Sequence, residues 1–97
     1  MITLKEVIER LPDTVECNYD IYLVGSAIKN KICDKDIDLL IIEKLDKSKN
    51  IELTTYFINT LHYRIHLITG TEIKNEFYIK VYSNKQKLNV NSIIENN

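Results

Sequence analysis

Two short motifs hold the residues of this chain whose types and spacing suggest chemistry. An apolar run ends in Gly25-Ser26, and after nine further residues Asp36 and Asp38 open a second apolar run. Glycine permits backbone dihedrals that other residues avoid, and it lets a ligand approach the main chain closely. The two aspartates project from the same face of an extended strand, where a divalent cation would relieve their mutual repulsion.

The nine-residue spacer between the motifs is long enough for a short helix. The first turn of such a helix would direct N–H groups towards whatever lies above Gly25-Ser26, and such groups favour phosphate. A phosphate cradle beside a pair of carboxylates describes a site for a magnesium-bound triphosphate. The alternative interpretation is a Gly-Ser turn followed by a solvated cluster of Asp34, Asp36 and Asp38.

The combined motif resembles that of the nucleotidyltransferase superfamily, which has an apolar residue, Gly-Ser or Gly-Gly, a spacer of about this length, and then Asp-apolar-acid-apolar. The matching residues here are Val24-Gly25-Ser26 and Asp36-Ile37-Asp38-Leu39. The resemblance implies that the first motif binds nucleotide and that the two aspartates are catalytic and hold a metal ion. It also implies Mg²⁺ (or Mn²⁺) as the cofactor and ATP as the substrate.

Two other families use an Asp-x-Asp motif to hold a metal ion. Phosphatases of the haloacid dehalogenase type place it at the end of an apolar strand, whereas here the apolar run follows the motif. Glycosyltransferases that use sugar nucleotides are far longer than 97 residues. Neither family accounts for Gly25-Ser26.

Length and composition indicate one small globular domain spanning residues 1–97. A net charge of −1, from 13 basic and 14 acidic residues, argues against a general nucleic-acid-binding protein. No apolar run is long enough to cross a bilayer and no signal-peptide pattern opens the chain, so no membrane partner is expected. Cys17 and Cys33 are too few for a disulfide framework or a zinc site, which favours free thiols and a cytoplasmic location.

The apolar pattern along the chain predicts an alternation of helices and strands. Thr3 and Glu6 have the spacing of a capping box that starts the first helix. Strands are predicted at about 20–24, 39–42 and 63–69, a crossover helix at 51–61, a further helix from Gly70, a turn at 83–85, an edge strand at 88–90 and a frayed end at 95–97. This order resembles a minimal nucleotidyltransferase. The resemblance implies an α/β (α+β) fold of the polymerase beta-like nucleotidyltransferase type, with helices packed on a small mixed sheet of three to four strands.

The strand at 63–69 lacks the third carboxylate that the superfamily usually carries after its crossover helix. His66 occupies the matching position. Imidazole is a poor ligand for magnesium but could act as a general base near neutral pH. The simpler interpretation is a partly buried histidine with a local hydrogen bond. Arg64, on the same strand face, is either a phosphate contact or a surface residue paired with an acid.

Other basic and aromatic residues have simpler interpretations beside the functional ones. Lys29, Lys31 and Lys35 in the spacer could neutralise a triphosphate, although solvated lysines are the default. Tyr78 and Tyr82 lie four residues apart on the last predicted helix, which is more typical of packing than of nucleobase stacking.

Two functions stay open within the resemblance. A stand-alone protein of this size looks like the antitoxin of HEPN–MNT toxin–antitoxin pairs (MNT, minimal nucleotidyltransferase), in which AMP from ATP is transferred to a tyrosine of the partner toxin. The alternative is a catalytically impaired module that binds a nucleotide or a partner protein, which His66 favours. The expected partners are therefore a nucleoside triphosphate and a protein such as a HEPN-type toxin, and self-association to a homo-oligomer stays open.

Overall fold

The computed structural model describes residues 1–91 of the chain, so the predicted fraying at 95–97 lies outside the described residues. The helices are α1 (Leu4–Arg10), α2 (Ser26–Lys29) and α3 (Lys47–Leu61). The strands are β1 (Ile2–Thr3), β2 (Ile21–Val24), β3 (Ile32–Cys33), β4 (Ile37–Ile41), β5 (Ile65–Thr69), β6 (Tyr78–Ser83) and β7 (Gln86–Lys87). None of the helices within these 91 residues is long and apolar enough to cross a membrane.

A mixed sheet of five strands, in the order β5-β4-β2-β6-β7, forms the centre of the fold. β4 and β5 run parallel and are connected by α3, because a parallel pair requires a crossover. The other neighbours in this sheet are antiparallel, and β1 and β3 form a separate two-stranded ladder. The predicted mixed sheet and crossover helix are therefore confirmed.

Side-chain caps fix where α1 and α3 begin. The capping box predicted for α1 is present, since the Thr3 hydroxyl accepts from the Glu6 N–H at 3.1 Å and the Glu6 carboxylate accepts from the Thr3 N–H at 3.1 Å. α3 begins four residues earlier than predicted because Asp46 caps it and accepts a hydrogen bond from the Lys49 N–H at 2.7 Å. His62 ends α3 in a left-handed conformation, with φ 53°.

The helix predicted from Gly70 is wrong. Residues 71–77 are irregular, and Tyr78–Ser83 form β6, which pairs antiparallel with β2. Ile79 and Val81 point into the core at strand spacing. Without β6, β2 would be an exposed edge of the sheet. Pairing with β2 therefore determines the conformation of this segment, although its apolar residues recur at helical spacing. The central sheet therefore has five strands instead of three to four.

A hairpin joins β6 to β7. Asn84 and Lys85 form its turn with φ angles of 50° and 69°, which agrees with the turn predicted at 83–85. The predicted edge strand is two residues out of place, since β7 covers Gln86–Lys87 instead of 88–90.

The two faces of the sheet have different environments. Ile37, Leu39 and Ile41 of β4 point into the apolar core, which they share with residues of α1 and α3. The alternate residues of the same strand, Asp38 and Leu40, therefore point to the opposite face, where the candidate site lies. Both cysteines are free thiols, as predicted, and the structure shows that both are buried.

Candidate functional site

Gly25 follows β2 directly and brings the main chain against a side chain of the neighbouring strand. Its dihedrals, φ 80° and ψ −144°, are ones that residues with a side chain rarely adopt. β2 and β4 pair so that Val24 lies opposite Asp38, and a Cβ atom on Gly25 would stand 2.9 Å from the Oδ2 atom of Asp38. The structure thus brings the two sequence motifs together, with a carboxylate packed against the bare main chain of the turn.

The spacer after Gly25 contains a single helical turn, α2, which begins at Ser26. The Gly25 carbonyl accepts hydrogen bonds from the N–H groups of Ile28 and Lys29, at 3.1 and 3.0 Å. The Gly25 N–H donates to the Phe77 carbonyl at 3.1 Å, so the loop before β6 is tied to the turn. The expected short helix is present, but the N–H of Gly25 itself is already used inside the protein.

Asp38 is the less exposed of the two motif aspartates. Burial is the main reason that the pKa of its carboxyl lies above the ordinary value, because the charged form loses hydration there. The neighbouring His66 acts in the opposite direction on this pKa, and the negative charge of Asp36 adds to the increase. A cation at this carboxylate would therefore compensate a charge that the protein itself solvates poorly.

His66 lies beside Asp38 on the adjacent strand. The parallel pairing of β4 and β5 sets the two residues in register, and the Nδ1 atom of His66 lies 3.3 Å from the Oδ1 atom of Asp38. The histidine side chain is 61% exposed and that of Asp38 is 31% exposed. The simpler interpretation of His66 therefore holds only in its local polar neighbour, Asp38, because the predicted partial burial is wrong.

Asp36 is paired with a different residue of the segment leading into β5. The Nε atom of Arg64 lies 3.1 Å from the Oδ1 atom of Asp36, and a guanidinium nitrogen also donates to the Asp34 carbonyl at 3.2 Å. Of the two interpretations of Arg64, the structure supports the surface residue paired with an acid. Each motif aspartate consequently has a basic side chain as its neighbour.

Two cavities adjoin Gly25. One, of about 250 Å³, lies over Asp38 and has mainly apolar walls that include Val24, Leu40 and Ile68. The other, of about 740 Å³, is an open cleft lined by Gly25, Ser26, Lys29, Asn30, Lys74, Asn75, Glu76 and Phe77. The segment 74–77 was missed as a site component, because the sequence pattern placed it in a helix and no motif marks it.

Three of the basic and aromatic residues singled out in the sequence, Lys29, Tyr78 and Tyr82, lie in three different places. The Lys29 ammonium lies 5.5 Å from the centre of the Phe77 ring, at the cleft. Tyr78 is exposed on β6 and packs edge-on against Tyr22, with ring centres 6.0 Å apart. Tyr82 is buried, and its hydroxyl donates to the Pro12 carbonyl at 2.5 Å. The two tyrosines share a strand, so their predicted helical face does not exist.

The donor set near Gly25 fits a divalent ion that takes part of its ligands from a phosphate. Within residues 1–91, no three His, Cys, Asp or Glu side chains are gathered closely enough to hold a metal ion by themselves. Magnesium in nucleotide sites is usually bound by one or two carboxylates together with phosphate oxygens and water. Asp36 and Asp38 supply those carboxylates, and the open cleft beside Gly25 and Ser26 provides room for a phosphate.

Comparison with known proteins bears on the fold. No family model and no curated protein matches the chain. Among solved structures, a chain from the crystal structure of a mutant of the toxin–antitoxin complex MntA-HpeT matches with a TM-score of 0.56 and 16% identity, over 84% of this chain and 74% of that one. The mutations named for that complex change two aspartates, two positions apart, to glutamate. A likeness at this identity concerns the architecture, and the chain therefore has the minimal nucleotidyltransferase fold that its two motifs predicted.

Proposed function

We propose that this chain is a nucleotidyltransferase that moves AMP from ATP to a hydroxyl group of a partner protein, as the antitoxin of a toxin–antitoxin pair. The fold and the likeness to a chain of a toxin–antitoxin complex support the class of protein. By the sequence resemblance, the partner is a HEPN-type toxin and the acceptor is a tyrosine.

The observation that carries the proposal is the contact between the Gly25 turn and Asp38. Because Gly25 has no Cβ atom, the main chain of the turn lies directly against the partly buried Asp38 carboxylate, and the pairing of Val24 with Asp38 holds the two together. A turn without a side chain can accept a phosphate closely, and the carboxylate beside it can hold the counter-ion of that phosphate.

The reaction joins an acceptor oxygen to the α-phosphorus of ATP. The bond from this phosphorus to the bridging oxygen of the β-phosphate breaks, pyrophosphate leaves, and the hydroxyl proton is released as the new ester forms. A bound divalent ion supplies charge neutralisation of the phosphate oxygens. Positioning and electrostatic stabilisation dominate such transfers, so a strong base is not required.

The chain's own residues would contribute position and charge. Gly25 and Ser26 hold the phosphates at the end of β2, while Asp38 and Asp36 fix the counter-ion on the neighbouring strand. Lys29 lines the open cleft next to Gly25, where its ammonium group adds positive charge for the triphosphate.

The test is transfer of radiolabel from [α-³²P]ATP to a co-expressed partner, chosen as the product of the neighbouring open reading frame. Wild-type protein should label the partner, and mass spectrometry of the partner should locate AMP on a hydroxyl residue. Asp38→Asn should abolish labelling. Asp34→Asn is the matched control, because it removes an exposed aspartate two residues before the motif and should leave labelling intact. Equal labelling by wild type and Asp38→Asn would overturn the proposal.

A second function is favoured by the basic neighbours of both motif aspartates. Arg64 and His66 lie 3.1 and 3.3 Å from the two carboxylates, as in a module that binds a nucleotide or a partner without transferring anything. This function predicts ATP binding by the wild type with no labelled partner, and labelling only in the His66→Asp variant, which restores the third carboxylate.

A further inference from the structure

His66 and Asp38 form a mixed nitrogen and oxygen donor pair at the place where nucleotidyltransferases usually have only carboxylates. The pair does not depend on a mobile loop, because both residues lie within hydrogen-bonded strands and are direct neighbours in the β4–β5 ladder. Strand register of this kind fixes the separation of side chains more closely than a loop does.

The separation of the two donor atoms suits neighbouring ligands of one metal ion. Protein nitrogen and oxygen ligands lie about 2.0–2.2 Å from a small divalent ion. Two such ligands are therefore about 3.0 Å apart at an octahedral angle and about 3.4 Å apart at a tetrahedral angle. The observed distance from Nδ1 of His66 to Oδ1 of Asp38, 3.3 Å, falls between these values.

The chemistry of the pair discriminates among divalent ions. Magnesium strongly prefers oxygen ligands, whereas manganese, cobalt and zinc also accept imidazole nitrogen. Asp36 is less available than Asp38 as a metal ligand, because the Arg64 guanidinium lies 3.1 Å from its carboxylate. The first ligands that an arriving ion meets without displacing an arginine are therefore those of Asp38 and His66.

We propose that His66 is a metal ligand and that, with Asp38, it makes this site select a divalent transition-metal ion such as Mn²⁺ over Mg²⁺. The inference rests on the metal position in the proposed function and specifies which ions fill it. His66 then replaces the third carboxylate as a ligand, and the proton released by the acceptor hydroxyl passes to solvent.

Mn²⁺ is the most stringent test ion. Among the first-row divalent transition metals it binds most weakly, and like Mg²⁺ it suits oxygen ligands. Because the site takes part of its ligands from a phosphate, Mn²⁺ is added together with a non-hydrolysable ATP analogue. Its binding to the intact protein is measured, against a protein-free blank, by the loss of its free-ion electron paramagnetic resonance signal, and Mg²⁺ affinity is measured by competition. Pulsed spectra of bound Mn²⁺ then report any coordinated nitrogen. Labelling the protein with ¹⁵N-histidine identifies that nitrogen as imidazole, since the coupling changes from that of ¹⁴N to that of ¹⁵N.

The wild type should bind Mn²⁺ with a histidine nitrogen coupling. His66→Ala should abolish the coupling and lower the Mn²⁺ affinity at least about tenfold. Removing only a hydrogen-bond partner of a metal ligand already lowers metal affinity by that factor. His66→Asp should shift the preference towards Mg²⁺. His62→Asn is the matched control, because it removes the other histidine of the chain and asparagine tolerates the left-handed backbone there, so coupling and affinity should stay unchanged.

Three results would overturn the inference: no Mn²⁺ binding by the wild type, bound Mn²⁺ without a histidine coupling, or a Mn²⁺ to Mg²⁺ preference that His66→Ala leaves unchanged. Circular dichroism of each variant checks that it is folded. Failure of the proposed function is a separate outcome. A protein that coordinates Mn²⁺ through His66 but labels no partner refutes the transfer, while one that labels its partner without nitrogen coordination refutes only the metal ligand.

Discussion

Replacing Gly25 with alanine tests whether the turn after β2 is built around its missing side chain. The φ of 80° and ψ of −144° are strained for alanine and cost about 1–3 kcal/mol. The new Cβ atom would stand 2.9 Å from Oδ2 of Asp38, so the carboxylate must also move. A loss of 1 kcal/mol lowers the melting temperature of a domain of this size by roughly 4–8 °C, so we expect a decrease of about 5–20 °C.

Gly70→Ala is the matched control for the backbone part of this effect. Gly70 also has a positive φ, 73°, but the atom nearest to a Cβ there would be the Lys44 Cβ, at an ordinary contact distance of 3.4 Å. Both variants should lose thermal stability, measured by circular dichroism. Calorimetry with ATP and Mn²⁺ or Mg²⁺ should show that only Gly25→Ala loses nucleotide binding, because only its Cβ atom occupies the space beside Asp38.

The clash with Asp38 can be separated from strain by a double-mutant cycle. Asp38→Ala removes the oxygen that the new Cβ atom would meet, so Gly25→Ala should cost less in that background, by about 1 kcal/mol. An equal cost in both backgrounds would show that the contact with the carboxylate is not what requires glycine. Unchanged nucleotide affinity in Gly25→Ala would refute the placement of the phosphates.

Three further variants test the surroundings of the site. Asp38→Asn should raise the melting temperature at neutral pH, because the raised pKa of Asp38 makes its ionised form destabilising. This gain should disappear as the pH falls through that pKa, and no gain at neutral pH would contradict the burial argument. Arg64→Gln should change stability by less than about 0.5 kcal/mol, since the pair is exposed, but should tighten Mn²⁺ binding by releasing Asp36; weaker binding would show that Arg64 assists the site. Tyr82→Phe should cost about 1–2 kcal/mol in urea unfolding, because the Pro12 carbonyl loses its donor, without altering nucleotide affinity.

The local motifs were predictable from sequence because their signals lie within a few residues. The capping box of Thr3 and Glu6 depends on one spacing, and it is present. One apolar run precedes Gly25 and another contains Asp38. Because the two runs pair as neighbouring strands, Gly25 and Asp38 lie close together.

The second half of the chain was harder to predict because its structure depends on distant partners. Ile73, Phe77 and Val81 recur at helical spacing by coincidence, and only the pairing with β2 shows that the last of them lies in a strand. The loop at 74–77 is therefore a part of the cleft that local periodicity could not reveal. The position of His66 was predicted, but its alignment with Asp38 depends on the length of the whole connection through α3.

That alignment explains why the site is sensitive to register. Asp38 and His66 face each other only because β4 and β5 pair residue for residue, with Ile37 opposite Ile65 and Leu39 opposite Leu67 in the core. A slip of one residue in β5 would turn His66 into the core and expose an apolar neighbour, at the cost of burying imidazole among apolar side chains. The same burial of Ile65 and Leu67 that stabilises the sheet therefore also holds the donor pair together. The apolar core thus fixes the register of the donor pair, on strands whose outer face remains accessible to a ligand.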